Sequence, residues 1–303
     1  MKPELPAIVT APPQGWRIWW TAARPRTLTI AATPVVLGTA LAWTEGAAHA
    51  WLAALSALLA ALLIQAGTNL HNDAADFERG NDTPERVGPL RVTAAGWARP
   101  GEVRAVAFAL FAIAFMFGGY LVFVGGWPIL ALGLASLAAG WAYSGGPRPL
   151  SYTPLGELFV CVFFGLFAVA GSHWLQSGQV ATSAVLGGAA VGAIAAAVLM
   201  LNNYRDLADD IKAGRRTLAA VLGPAGARRA YAAFMIAPFA APLWFALHGR
   251  PGALLALGAL PLCLALVRHV AQSQPGPALN LLLAGTARAE LVFGILLSVG
   301  LFL

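Results

Sequence analysis

Nine apolar runs, each long enough to cross a bilayer as a helix, constrain this chain more than any other feature of its sequence. A membrane-spanning helix needs about 20 mostly apolar residues. Runs of that kind are centred near residues 27–44, 51–71, 103–124, 127–143, 155–175, 182–203, 229–248, 252–270 and 285–303. Only 11% of the residues are charged, so one soluble core would not hide this much apolar surface. The sequence predicts an all-α transmembrane bundle of about nine helices, and it lacks the ten-residue alternation typical of a β-barrel.

Positively charged side chains concentrate on one side of the predicted bundle. Nearly all of them lie in or beside the N-terminal segment and four connections, near 72–102, 144–154, 204–228 and 271–284. Arg250 is the exception on the other side. Because cytoplasmic loops carry the excess of Lys and Arg, these connections and the N-terminus are predicted to be cytoplasmic. The net charge of +6 then reflects topology, and no basic domain with interleaved aromatic residues indicates nucleic-acid binding.

The N-terminal segment is predicted to stay outside the bilayer. It begins with a Pro-rich stretch that is too weakly apolar for a signal peptide. It continues into "WRIWWTAARPR", whose Trp and Arg residues favour the membrane interface. We therefore expect a cytoplasmic tail and interfacial segment over residues 1–22 and a membrane domain over residues 23–303.

Acidic residues cluster where the second apolar run ends. The stretch "NLHNDAADFERGND", residues 69–82, holds Asp73, Asp76, Glu78 and Asp82. Carboxylates this close repel one another unless a positive charge lies between them. A divalent cation is therefore the first candidate partner, whereas Glu78 is predicted to be a solvated surface residue.

A second cluster of the same kind ends the sixth apolar run. In "NNYRDLADDIKAGRRTL", which begins at Asn202, the residues Asp206 and Asp210 follow at intervals of four and therefore share one helix face. The first cluster has the same interval between Asn72 and Asp76. The clusters are four spans apart, which predicts a parallel duplication. The bundle would then comprise two four-helix pseudo-repeats plus one helix, with both acidic ends around a shared central cavity.

The two clusters offer only oxygen ligands, with no accompanying Cys or His cluster, and this suits Mg²⁺ better than zinc or copper. Four cations follow the clusters and are candidates for binding diphosphate oxygens: Arg79, Lys212, Arg215 and Arg216. A polyprenyl diphosphate fits both parts of the arrangement, because its anionic head suits the metal and its hydrocarbon tail suits the bilayer. Mg²⁺ would assist departure of the pyrophosphate.

Four stretches give the chain a resemblance to a known family: "ARPRTLTIAATPVVLG" from residue 23, "GTNLHNDAADFERGNDTPERVGPLRVTAAG" from 67, "YSGGPRPLSYTPLGELFVCVFFG" from 143 and "NNYRDLADDIKAGRRTLAAVLG" from 202. At these residues the sequence resembles the UbiA-type membrane prenyltransferases, and within them the 1,4-dihydroxy-2-naphthoate polyprenyltransferases of menaquinone biosynthesis. The resemblance implies helices around a central cavity that opens laterally to lipid. It also implies an integral protein of the bacterial plasma membrane and Mg²⁺-dependent prenyl transfer.

The resemblance also implies roles for individual residues. The expected catalytic set, which holds Mg²⁺ and the diphosphate, is Asn72, Asp76, Asp206 and Asp210. The expected metal ligands are Asp73, Asp76, Asp82, Asp206 and Asp210. Gly80 stands where many members have Asp, and Asp82 is expected to supply that oxygen from the following loop. Lys212 and Arg216 are the preferred diphosphate contacts, since "KAGRRT" matches the basic run of the family.

Three residues are candidates for binding the aromatic acceptor: Arg24, Tyr143 and Arg148. Tyr143 and Arg148 lie in "YSGGPRPLSYTPLGE", where Gly and Pro favour turns, so this loop is either a lid over the cavity or an interfacial anchor. Arg24 either binds a naphthoate carboxylate or only enforces topology. His71 lies inside the first motif and is expected to face away from the acidic side chains rather than act as a base.

The sequence thus predicts transfer of a polyprenyl group from its diphosphate to 1,4-dihydroxy-2-naphthoate, with loss of the carboxylate, giving demethylmenaquinone. The same chemistry on 4-hydroxybenzoate, a chlorophyllide or a haem is an alternative, because one sequence does not distinguish the acceptor loops. A cation-coupled secondary transporter is an alternative from another class. Transporter acids usually lie near the bilayer midplane, whereas these acids lie at span ends beside cations, which favours the enzyme.

Overall fold

A computed structural model describes residues 13–80, 87–89 and 91–303, and every regular element in them is helical. Nine helices of the described chain are long and apolar enough to cross a membrane: α2 (Pro25–Thr44), α3 (Trp51–Glu78), α4 (Pro100–Gly125), α5 (Trp127–Ser144), α6 (Gly156–Ser177), α7 (Thr182–Arg205), α9 (Leu218–Leu247), α10 (Pro251–Gln272) and α11 (Leu279–Gly300). Two short helices, α1 (Trp16–Ala23) and α8 (Leu207–Lys212), flank the site described below. Each predicted apolar run coincides with one long helix, so the predicted all-α bundle is confirmed. The internal duplication stays a prediction.

Proline and glycine set several of the helix boundaries. Pro25, Pro100 and Pro251 lie in the first turns of α2, α4 and α10, where a missing N–H leaves no hydrogen bond unmade. Gly126 has φ +72 in the tight connection between α4 and α5, and Gly178 has φ +71 where α6 ends. Only glycine adopts this left-handed backbone at little cost. The apolar runs are therefore separated by residues that stop one span and start the next.

Small residues bring α6 and α7 into close contact. A Cβ added to Gly165 would lie 2.4 Å from the carbonyl oxygen of Gly188, and a Cβ added to Gly192 would lie 2.5 Å from that of Cys161. Such backbone contact between membrane helices requires glycine or a similarly small residue. The middle of α6, Val162–Phe167, is wound as a π-helix, a feature frequent at functional sites. The position of α7 fixes the second acidic motif at its end.

The helix before the first span is amphipathic. Ile18 and Trp19 pack towards Leu70 of α3, whereas Trp16 and Trp20 are exposed. An apolar face on the bundle and Trp side chains on the outside are typical of a helix in the membrane interface. The packing ties α1 to the end of α3 that carries the first acidic motif.

The first acidic motif lies on a helix as far as Glu78. Helix α3 continues past the apolar run to Glu78, and Gly80 follows with φ +73. Helix α3 therefore ends just before Gly80. Asn72 and Asp76 lie one turn apart, so they point to the same side of α3.

The second acidic motif crosses a break between two helices, where the sequence predicted one continuous helix. Helix α7 ends at Arg205, and Asp206 has φ −90 and ψ 10 before α8 begins. The Arg205 side chain turns back onto the Asp206 carboxylate at this break. Backbone hydrogen bonds of the helical type nevertheless continue across the break. The Asp206 N–H donates to the backbone carbonyl oxygen of Asn202 (3.1 Å), and the Asp210 N–H donates to that of Asp206 (2.9 Å). The predicted common face therefore survives the break.

Candidate active site

Both acidic motifs open onto one cavity of about 530 Å³. The motif side chains that line it include Asn72, Asp76, Asn202, Asp206, Asp209 and Asp210. Tyr143 and Ile129 also line the cavity and lie at opposite ends of α5, about 21 Å apart along the helix axis at about 1.5 Å per residue. The cavity therefore has a polar mouth at the acidic helix ends and a long apolar interior.

Two arginines bind the carboxylate of Asp76, which is only 3% exposed. Arg91 Nη1 lies 2.6 Å from Asp76 Oδ2, and Arg215 Nη2 lies 2.7 Å from Asp76 Oδ1. Arg215 Nη1 also lies 3.5 Å from Asp210 Oδ1. Arg215 therefore links the first acidic motif to the second. The ring of Tyr152 packs 4.6 Å from its guanidinium carbon, which holds the guanidinium between the two motifs.

Arg205 organises the other half of the site. Its Nε and Nη2 donate to the two carboxylate oxygens of Asp206 at 2.7 and 2.6 Å. Nη2 also donates to Asn202 Oδ1 at 2.9 Å, and Nη1 donates to Asn280 Oδ1 at 2.9 Å. This bidentate pair fixes the Asp206 carboxylate at the cavity mouth and anchors it to α11 through Asn280.

The pKa of Asp210, at the cavity mouth, is strongly altered by its surroundings. Burial raises the pKa of Asp210 to about 7; Arg215 opposes the rise, whereas Asp206, Asp76 and Asp209 add to it. The negative charges concentrated here are thus only partly compensated by the arginines. A further positive charge at the mouth would favour the ionised form of Asp210.

The donor set fits a hard divalent cation. Asn72 Oδ1 lines the mouth, is buried and has no hydrogen-bond partner, and the neighbouring groups are carboxylate oxygens. Mg²⁺ is typically held by one or two carboxylates together with water and substrate phosphate, rather than by a full protein cage. Consistent with this, no three His, Cys, Asp or Glu side chains of the described residues converge into a preformed cage.

Asp73, which was expected to be a metal ligand, lies outside the mouth. It is 1% exposed, and it accepts hydrogen bonds from the backbone N–H of Val92 at 3.1 Å, the N–H of Thr93 at 3.3 Å and the Thr93 hydroxyl. Its carboxylate therefore holds the segment after residue 90 against α3. These contacts do not favour Asp73 as a metal ligand, and that assignment stays a prediction. The other expected loop ligand, Asp82, lies outside the described residues.

Replacing Asp73 with asparagine is expected to destabilise the protein by about 1–3 kcal/mol, because buried N–H donors lose a charged acceptor. A lower thermal unfolding temperature in detergent would measure this loss. At a temperature where the variant is folded, its Mg²⁺ requirement should match that of the original protein. A shifted Mg²⁺ requirement would instead return Asp73 to the metal site.

Of the four predicted diphosphate contacts, Arg215 alone lines the cavity. Arg79 donates to the backbone oxygens of Ser144 and Gly146, at 2.5 and 3.0 Å, and so holds the loop after α5. The Lys212 side chain is 79% exposed, and Arg216 is also exposed. The preference for Lys212 and Arg216 as diphosphate contacts stays a prediction, which the structure does not favour. Helix α8 ends at Lys212, and of these three cations only Arg215 lines the cavity.

Arg91 is a site residue that sequence reasoning missed. It is 6% exposed, lines the cavity and binds Asp76, and its Nη1 also lies 3.3 Å from the backbone oxygen of Asn72. The available signal was a single arginine in the loop "GPLRVTAAG", one residue before the segment that Asp73 holds. Nothing in the spacing of the sequence distinguishes it from the other loop arginines.

Two of the three candidate acceptor-binding residues line the cavity. Arg24 and Tyr143 line the cavity, whereas Arg148 is exposed outside it. His71 does not line the cavity, in agreement with the expected orientation. It is however only 5% exposed and packs against Phe108, so it is a buried residue rather than a residue of the helix surface.

Comparison with known proteins identifies the family. Residues 31–284 match the UbiA prenyltransferase family. The chain belongs to the UbiA prenyltransferase family. It is 37% identical over 279 residues to the 1,4-dihydroxy-2-naphthoate octaprenyltransferase of Mycobacterium tuberculosis, covering 91% of this chain and 94% of the relative. It is 32% identical over 289 residues to the protein of the same name from Bacillus subtilis, covering 95% and 93%.

Solved structures of UbiA homologues share the fold. The homologue from Aeropyrum pernix superposes with a TM-score of 0.67 at 18% identity, covering 90% of this chain and 96% of that chain. The homologue from Archaeoglobus fulgidus bound to GPP and Mg²⁺ superposes with a TM-score of 0.66 at 16% identity, covering 94% and 100%. This UbiA-family member is an integral membrane prenyltransferase, and the family argues against a transporter.

Proposed function

We propose that this protein transfers a polyprenyl group from polyprenyl diphosphate to 1,4-dihydroxy-2-naphthoate. Overall, a carbon–carbon bond forms between the prenyl group and the ring, the prenyl carbon–oxygen bond breaks, and pyrophosphate leaves. The carboxylate departs as carbon dioxide and leaves its bonding electrons on the ring, giving demethylmenaquinone in its quinol form. The observation that carries the proposal is the junction of two acidic motifs at the mouth of an apolar cavity. The names of the relatives, matched over most of this chain, favour the naphthoate as acceptor.

The mouth provides complementary partners for a diphosphate group. Asn72, Asp76, Asp206 and Asp210 are the residues that would hold Mg²⁺, and bound Mg²⁺ would neutralise the diphosphate and so favour loss of pyrophosphate. Arg215 and Arg91 place fixed guanidinium groups at the same mouth and are suited to bidentate contact with phosphate oxygens. The head group would therefore be bound by side chains from both acidic motifs.

The interior of the cavity suits the prenyl chain and the reactive carbon. Phe159, Phe163 and Phe167 form a row along α6, with adjacent ring centroids 5.8 and 5.3 Å apart, and all three line the cavity. Such a wall excludes water, which would otherwise capture an allylic cation. Leu134 and Phe167 line the cavity yet stay 50% and 41% exposed, which supports a lateral opening towards lipid.

The second substrate would enter at the polar mouth. Arg24 lines the cavity and is a candidate partner for the naphthoate carboxylate, and Tyr143 lines the same cavity. The excess of Lys and Arg at this end of the bundle supports a mouth at the cytoplasmic face of a bacterial plasma membrane. Both substrates would thus meet at the cytoplasmic surface, one from lipid and one from water.

The proposal is tested by prenyl transfer with the purified protein. Polyprenyl diphosphate is supplied with 1,4-dihydroxy-2-naphthoate or 4-hydroxybenzoate, with Mg²⁺ or with a chelator. We expect Mg²⁺-dependent product from the naphthoate alone, together with release of labelled carbon dioxide from its carboxyl group. Transfer to 4-hydroxybenzoate instead of the naphthoate would mean that the proposed acceptor is wrong. Absence of transfer to either acceptor would contradict the proposal as a whole.

Gly133 offers a test of the prenyl path. It lines the cavity about 15 Å along α5 from Tyr143, and an added Cβ there meets no atom within 4 Å. Gly133→Phe is expected to fill the deep part of the cavity and to lower turnover of octaprenyl diphosphate about tenfold or more. Geranyl diphosphate, whose chain is shorter, serves as the internal control and should react at nearly the original rate. Equal losses with both donors would contradict this path.

A further inference from the structure

Two adjacent asparagines at the end of α7 point to different parts of the mouth. Successive helical residues are rotated by about 100°, and Asn202 and Asn203 follow this rule. The side-chain oxygen of Asn202 accepts a hydrogen bond from Arg205 within the acidic cluster. The Asn203 side chain instead donates from Nδ2 to Glu157 Oε1 of α6, at 2.9 Å, and lines the cavity beside Leu199. Asn203 therefore lies beside the diphosphate site rather than within it.

The contact with Glu157 determines which atom of Asn203 is left for a ligand. A carboxylate accepts hydrogen bonds, so the amide nitrogen of Asn203 must face Glu157. The amide oxygen of Asn203 therefore points away from Glu157. Within the cavity wall this oxygen is an acceptor held in a fixed orientation. Its natural partner is a hydroxyl or N–H donor, since a carboxylate would be repelled.

Glu157 is a charged side chain at a buried position, where an apolar residue is more usual. It is 1% exposed, and its Oε2 is buried without a hydrogen-bond partner. A buried carboxylate with one unpaired oxygen costs stability, and an apolar side chain would pack here without that cost. Tyr143 also lines the cavity. Glu157 is thus a buried acceptor group directly behind the wall where the aromatic substrate would lie.

We propose that Asn203, oriented by Glu157, binds a hydroxyl group of the aromatic acceptor and so fixes how the acceptor ring lies against the diphosphate site. The inference rests on the proposed function, because it concerns the second substrate of that reaction. 1,4-Dihydroxy-2-naphthoate carries two hydroxyl donors and one carboxylate. The hydroxyl suits the Asn203 oxygen, whereas the carboxylate would be turned away from Glu157 and towards Arg24, which also lines the cavity. Asn203 is then a binding residue and Glu157 a positioning residue.

The first test separates the two substrates. For Asn203→Ala, the KM for 1,4-dihydroxy-2-naphthoate is expected to rise about tenfold, as for loss of one hydrogen bond in a closed site. The KM for polyprenyl diphosphate and the Mg²⁺ requirement should change by less than about twofold. If the alanine variant does not fold, Asn203→Ser provides the same comparison with a smaller change. Equal increases in KM for both substrates would overturn the inference.

Acceptor analogues identify the hydroxyl that Asn203 binds. Inhibition constants are measured for 1-hydroxy-2-naphthoate and 4-hydroxy-2-naphthoate, each lacking one hydroxyl of the substrate. In the original protein, one analogue should bind about tenfold more weakly than the other. In Asn203→Ala that difference should disappear, since the missing hydroxyl and the missing amide belong to one contact. An unchanged difference in the variant would overturn the inference.

The role of Glu157 is tested by rescue. Glu157→Ala frees the Asn203 amide and is expected to raise the acceptor KM about tenfold, whereas Glu157→Gln keeps an oxygen for Asn203 Nδ2 and should restore most of the loss. Glu290→Gln is the matched control, because Glu290 is a buried acid that binds Thr33 outside the cavity. It should leave the acceptor KM unchanged. Equal losses in Glu157→Ala and Glu157→Gln would overturn the positioning role.

The outcomes also separate this inference from the proposed function. If the original protein does not prenylate the naphthoate, the proposed function itself fails. If the original protein is active but Asn203→Ala keeps its acceptor KM and its discrimination between analogues, only the hydroxyl contact fails. Thermal unfolding of each variant shows whether a loss of activity reflects a loss of folded protein.

Discussion

Replacing Asp76 with asparagine is expected to lower Mg²⁺-dependent prenyl transfer about 10²- to 10³-fold, the range seen when a preorganised electrostatic contact is removed from an active site. The substitution keeps the size of the side chain but removes the charge that Arg91 and Arg215 share. Two effects then coincide. The metal loses a carboxylate, and two arginines lose the anion that orients them towards the diphosphate.

A binding measurement separates this effect from a loss of folded protein. Mg²⁺ with inorganic pyrophosphate should raise the thermal unfolding temperature of the original protein, because both bind only the folded state. The same addition should have little effect on Asp76→Asn. Glu78→Gln is the matched control on the same helix, since Glu78 binds Arg104 at the surface. Equal stabilisation of Asp76→Asn by Mg²⁺ and pyrophosphate would contradict a role for Asp76 in binding them.

The bundle could be predicted from the sequence because a bilayer imposes strict limits on length and polarity. A run such as 182–203 leaves few structures other than a spanning helix, and α7 occupies it almost residue for residue. The proximity of the two acidic motifs was also predictable, since both lie at the ends of membrane spans on the same side of the membrane. The interval of four residues placed Asn202, Asp206 and Asp210 on one face even though the helix breaks at Asp206.

The choice between neighbouring side chains was not predictable from spacing. Asp73 and Asp76 are both acidic and three residues apart, so both fit the same helix end. Their roles are separated by tertiary contacts: the backbone at Val92 and Thr93 binds Asp73, whereas Arg91 and a distant arginine bind Asp76. Such contacts depend on how a loop folds over α3, and helical periodicity carries no information about that.

The basic run after the second motif contains a local signal that spacing alone overlooks. Gly214 has φ +71, and the backbone N–H of Arg215 donates to the backbone carbonyl oxygen of Asp210 at 2.9 Å, as in a helix that ends at a glycine. This turn reverses the chain and directs Arg215 back over the mouth, while Lys212 stays on the outer side of α8. A glycine between two cations therefore decides which of them reaches the cavity mouth.

Replacing Arg215 with glutamine is expected to reduce kcat/KM for polyprenyl diphosphate about 10²-fold, whereas Lys212→Gln and Arg216→Gln should each change it by less than about threefold. Arg215 bridges Asp76 and Asp210 and is 15% exposed, so its charge acts in a poorly solvated site. The other two side chains are exposed and screened by water. The three variants remove the same charge within five residues, so they differ only in where that charge lies.

Inhibition by inorganic pyrophosphate locates the effect at the head group. The inhibition constant should rise in Arg215→Gln about as much as kcat/KM falls, because both report the same contact. Arg215→Lys should recover only part of the loss, since a single ammonium does not reproduce the two-pronged contact of a guanidinium or its packing on Tyr152. A larger loss in Lys212→Gln or Arg216→Gln than in Arg215→Gln would mean that the turn at Gly214 rearranges on binding substrate, and the assignment of Arg215 as the diphosphate contact would be withdrawn.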